Sequence, residues 1–133
     1  MDKSNFLTVK IKDEDMPIMC TMKVLKAIYD KYGDPQVFAD LVFKTKENEK
    51  GQQVHTGEAP DIDAVYSILP LMINEGITVY NDGRRSKMDL LDEDYIYRYY
   101  EEPLTLIGYK MLTELKNSLF APKRQPPVKT SQK

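Results

Sequence analysis

A single cysteine, Cys20, excludes an intrachain disulfide, so nothing covalent closes this chain of 133 residues on itself. Nowhere do about eighteen apolar residues run together, the length that a membrane-crossing helix requires. The opening stretch MDKSNFLTVKIKDED carries charges where a signal peptide would need its apolar run. A net charge of −2 is too small to draw the chain as a whole to nucleic acid or to imitate phosphate density. No Walker loop, dinucleotide fingerprint, zinc spacing or internal repeat is present. Together these absences predict a soluble cytosolic protein with no cofactor, no metal, no nucleic-acid partner and no membrane.

What is present reads as one α+β domain, mostly α: an N-terminal β-hairpin followed by a small bundle of about five helices. The length suits one core burying roughly two-thirds of the unfolded surface. In FLTVKI, Leu7, Val9 and Ile11 alternate with Phe6, Thr8 and Lys10, the period of a half-buried strand. The polar turn Lys12 to Asp15 predicts a return strand over Met16 to Cys20, with Pro17 at a strand start or edge because it cannot donate to a ladder.

The helices announce themselves by their ends. Thr21 stands as N-cap before a face of Val24, Leu25, Ile28, Tyr29 and Tyr32, and Gly33 follows where a left-handed residue closes the helix. Asp34 and Pro35 begin a second, with Val37, Phe38, Leu41 and Val42 on its buried side. Thr45 to Pro60 is polar and without period, predicting a long mobile surface loop. Asp61 caps a third helix with the widest apolar stripe, which Pro70 should bend or break and Gly76 should end, leaving Ile77 to Tyr80 extended before an Asn81-Asp82-Gly83 turn. Asp92 caps a fourth helix, and Pro103 opens a fifth with a stripe of Leu104, Ile107, Met111, Leu112, Leu115 and Leu119. Residues 1–120 thus form the domain, and 121–133, rich in proline and charge, read as a disordered or partner-ordered tail.

Chemistry is hard to find. His55, the one histidine, lies in the most polar loop, which provides poorly the fixed geometry and orienting partner a catalyst needs, and Cys20 ends an apolar strand; they read as a solvated residue and a buried thiol. The carboxylates fall on turns and helix starts, where capping explains them, except Glu101 and Glu102 before Pro103. The Met residues mostly fall on core faces, and GRRSK, Gly83 to Lys87, reads as a solvated turn. YIYRYY, Tyr95 to Tyr100, is the most unusual composition, but acidic neighbours on both sides oppose a phosphate backbone. On a helix Tyr95, Ile96 and Tyr99 share a core face, leaving Tyr97 and Tyr100 more exposed for contact with protein.

A short hairpin leading through CTMKVLKAIYDKYG into a helical bundle resembles the tail assembly chaperones of long-tailed bacteriophages and prophages of Gram-positive bacteria. The matching residues are Val24 to Gly33, then VYSILPLMINEGI from Val65 to Ile77, then LTLIGYKMLTELKNSL from Leu104 to Leu119 as the terminal helix. The loop from Thr45 to Pro60 is longer than the family's connection. The resemblance implies a non-enzymatic role in the cytoplasm of the bacterial host: binding the apolar, helical tape measure protein in many weak copies until the tail tube protein polymerises around it. It also implies a longer frameshifted product in some members, and it is compatible with a homo-oligomer. From helical geometry alone, Met72, Tyr97, Tyr100 and Leu119 are the candidate partner contacts. The second reading is a small phage or mobile-element protein that inhibits a host complex by surface occlusion; an enzyme ranks last.

Overall fold

In the computed structural model, which describes residues 5–120, strand β1 (Leu7–Ile11) turns through Lys12 and Asp13 into antiparallel β2 (Glu14–Ile18). Both turn residues have positive φ, 49° and 66°, the two-residue geometry whose twist matches the strands it joins. The turn is thus shorter than the polar run that marks it, and β2 starts two residues earlier than expected. Val9, Ile11, Met16 and Ile18 are buried on one face, as the alternation requires.

The described chain is α+β and mostly α, with five helices after this hairpin. Helix α1 (Met22–Tyr32) begins at Thr21, whose hydroxyl accepts from Val24 N, and stops at Gly33 with φ of 79°. Helix α2 (Pro35–Val42) follows at once, Asp34 accepting from Gln36 N at 2.9 Å. Its inner side is Phe38, Ala39 and Val42; Val37 points outward, as does Tyr29 on α1.

The polar stretch after α2 is not without secondary structure. Thr45–Glu47 and Gln53–His55 pair as a second hairpin, β3 and β4, turned by Asn48, whose Oδ1 accepts from Lys50 N and Gln52 N. Its strands are three residues long and almost wholly exposed, so no burial alternation marks them in the sequence.

Helix α3 (Ile62–Asn81), capped by Asp61, runs unbroken past Pro70 and Gly76. Two expectations are corrected here. Pro70 does not end the helix, because the carbonyl it leaves without a donor, that of Tyr66, accepts from the Tyr97 hydroxyl instead. Gly76 is a packing residue and not a stop: a Cβ there would lie 2.3 Å from the Pro17 carbonyl oxygen, so only glycine admits β2 this close. Ile77 to Tyr80 is therefore helical, and Ile77 is fully buried. By length and composition α3 could cross a membrane, yet here Ile68, Leu69, Met72, Ile73 and Ile77 are enclosed by the other elements.

Two asparagines on α3 then hold the connection to the next helix. Asn74 exchanges hydrogen bonds with Leu91 N and O, and Asn81 does the same with Met88, all at 2.8 Å. Helix α4 (Glu93–Tyr99) starts at Asp92, and α5 (Leu104–Phe120) starts after Pro103. Buried apolar residues from β1, β2 and all five helices form one cluster. Residues 121–133, expected as a tail, lie outside the described residues.

Candidate functional site

The carboxylates that capping did not explain have a structural task. Glu102 Oε2 accepts from Lys10 N at 3.0 Å and its Oε1 from Lys110 Nζ at 2.8 Å, while Lys110 Nζ donates to Thr8 O at 2.6 Å. Glu101 N donates to Lys10 O, its Oε1 accepts from Asp13 N, and Lys12 N donates to Tyr99 O. These groups face outward from β1, and the segment after α4 with one ion pair covers the edge that would otherwise be free to pair with another strand. Glu114 is buried at 2% exposure, with Oε1 3.4 Å from Cys20 N. Among the described residues no group of three or more His, Cys, Asp or Glu side chains could hold a metal ion. His55 stacks on Phe43 with ring centroids 4.4 Å apart, and its Nδ1 accepts from Gly57 N.

The residues proposed as partner contacts do not form one surface. Met72, at 0% exposure, is enclosed in the core and offers nothing to a partner, because the α3 stripe is wide enough to be covered on that side too. Tyr97 and Tyr100 are half-buried with their hydroxyls committed, to Tyr66 O and to Pro103 O respectively. Desolvation by burial, followed by the charge of Glu93, the neighbouring Tyr66 and then Asp94, pushes the Tyr97 phenol up to about 12. Desolvation and then Glu102 push the Tyr100 phenol up as well. Both rings therefore lock local structure and stay neutral at physiological pH.

Leu119 is different, for it lines a groove of about 310 Å³ between α2 and α5, closed at one side by β3 and β4. The two helices touch where Val42 meets Gly108: a Cβ on Gly108 would fall 2.1 Å from the Val42 carbonyl oxygen. Beside this contact lies the channel, with Ala39 of α2 and the following Phe43 on one wall and Leu112, Leu115 and Leu119 of α5 on the other. Phe120 stands at its edge 79% exposed. The only charged lining side chains are exposed: Asp40 on the α2 wall and Lys116 on the α5 wall. Asp40 accepts from Gln36 Nε2, and Lys116 makes no ion pair among the described residues.

The stripe Leu112, Leu115, Leu119 was legible in the sequence as a core face. That Leu112 and Leu119 stay half-exposed while Leu115 is buried was not, since coverage depends on which elements pack over each residue. Comparison of the chain with protein-family models, with curated proteins and with solved structures finds no match.

Proposed function

We propose that this protein is a non-enzymatic tail assembly chaperone that binds and solubilises a tape measure protein, in the cytoplasm of the bacterial host, before the tail tube polymerises. The observation that carries the reading is the open apolar channel between α2 and α5 with Phe120 exposed at its rim. An exposed apolar channel on a small protein suits reversible cover for an apolar helix, and repeated weak sites along one rod add up through avidity. The resemblance of Val24–Gly33, Val65–Ile77 and Leu104–Leu119 to the family supports the same role.

The test is co-expression with the tape measure protein encoded beside it, followed by size-exclusion chromatography with light scattering. A soluble complex carrying several copies, where the tape measure protein alone precipitates, is the expected result. A well-behaved free protein beside an insoluble tape measure protein would overturn the reading in favour of occlusion of a host complex.

A further inference from the structure

We propose that a segment of the chain's own C-terminus, Pro126-Pro127-Val128, docks in the α2–α5 groove against Phe43, Leu112, Leu119 and Phe120, with the cations that flank it drawn to Asp40. The contact needs no partner, so it stands apart from the chaperone reading. Residues 121–133 follow directly on Phe120, which itself lines the groove. The α5 wall from Leu112 to Phe120 is about 12 Å long at the helical rise. Pro126 lies at most about 20 Å of extended chain from Phe120, so one reversal after α5 brings it back over any point of that wall. The tether holds the segment at roughly millimolar effective concentration, which populates even a weak contact.

Size and chemistry suit this occupant. A cavity of about 150 Å³ takes one benzene molecule, so a groove of about 310 Å³ takes two or three side chains of the size of proline or valine and no whole helix. After Phe120, Val128 is the one aliphatic side chain larger than alanine, and two prolines precede it. Proline-rich backbone favours an extended helix whose carbonyls are all free to accept, and such segments dock in grooves lined by aromatic rings. Phe43 and Phe120 supply the rings. The rim supplies a donor: Gln53 Oε1 accepts from Thr45 Oγ1 at 3.1 Å, which leaves Gln53 Nε2, without a hydrogen bond among the described residues, to donate to a proline carbonyl.

Charge selects the same segment. All 21 carboxylates of the chain lie before Ala121, whereas four of its 19 cations, Lys123, Arg124, Lys129 and Lys133, lie after it. The domain is therefore negative and the segment positive, and the two attract. Asp40 is the one carboxylate on the groove lining, exposed and without an ion pair among the described residues. Lys116 on the α5 wall repels Arg124 and Lys129 and so turns them toward the α2 wall, where Asp40 stands. Docked, the segment shields Leu119 and Phe120.

That shielding is what the experiment reads. The full chain, dilute and at low salt, is oxidised by hydroxyl radicals, and modification of Leu119 and Phe120 is followed by mass spectrometry, with Leu90, 60% exposed outside the groove, as the internal control. The triple variant Pro126→Gly, Pro127→Gly and Val128→Ser keeps the length and charge of the segment and removes only its apolar contact. Oxidation of Leu119 and Phe120 is expected to rise several-fold in the triple variant and about twofold in Asp40→Lys, while that of Leu90 and the circular dichroism spectrum stay unchanged. Indifference of Leu119 and Phe120 to either change overturns the assignment. So does protection that grows with protein concentration together with a light-scattering mass above one chain, since the segment then lies in the groove of a second copy.

Discussion

The Tyr97 hydroxyl donates to the Tyr66 carbonyl, the one acceptor that Pro70 strips of its helical donor, and the two tyrosine rings stack with centroids 3.8 Å apart and planes 9° from parallel. A proline in the middle of α3 costs a hydrogen bond and crowds the preceding turn. Here a side chain from α4 restores the missing bond, and the same contact holds α4 on α3.

Replacing Tyr97 with Phe keeps the stacked ring and removes the donor, so we expect a loss of about 1 kcal/mol in urea denaturation. In a Pro70→Ala background the backbone amide regained at that position can take the Tyr66 carbonyl, and Tyr97→Phe should then cost less than half as much. A double-mutant cycle reads the difference. Equal costs in both backgrounds would show that the hydroxyl matters for another reason.

The same phenol makes stability depend on alkaline pH. Its folded value lies near 12, above the ordinary 10.0, so the unfolded chain releases its proton first and the folded state is disfavoured as pH rises. The contribution is fully present below about pH 10 and is lost as pH climbs toward about 12. Denaturation midpoints followed across that window should fall more steeply in the native chain than in Tyr97→Phe.

Gly76→Ala and Gly108→Ala should both destabilise. Alanine gains about 1 kcal/mol of helix propensity over glycine, but each new Cβ meets a backbone oxygen, that of Pro17 at 2.3 Å or that of Val42 at 2.1 Å. Neither oxygen belongs to a flexible side chain, so strands or helices must part, at a cost of about 1–3 kcal/mol beyond the gain. Chemical denaturation decides it: a neutral or stabilised variant would mean the contact yields easily.

Glu102→Ala leaves Lys110 as a nearly buried charge without its partner and Lys10 N without an acceptor; the Glu102 and Lys110 side chains are 14% and 16% exposed. The expected loss is about 3 kcal/mol. Glu102→Ala with Lys110→Met should cost less than the sum of the two changes. Since this pair helps cover the outer edge of β1, the single variant should also self-associate more at high concentration, measured by light scattering. A monodisperse Glu102→Ala protein would show that the backbone of Tyr99 and Glu101 covers the edge unaided.

Local chemistry determined the ends and faces of most elements. Thr21, Asp34, Asp61 and Asp92 all cap where their side chains alone predict, and the alternation of Leu7, Val9 and Ile11 set the hairpin's inner face, because a cap or a strand period involves only neighbouring residues. The third helix shows where such reasoning stops. Pro70 and Gly76 are local breakers, and only a hydroxyl from α4 and a strand pressed against α3 turn them into helix interior. The β3–β4 hairpin carried no pattern because almost nothing on it is buried, and Glu101 with Glu102 had no evident use until the chain brought β1 beside them. Met72 and Leu119 both look like stripe residues in the sequence; that one is sealed in the core and the other opens on a groove was decided by which elements pack over each, a property of the packed helices and of no single segment.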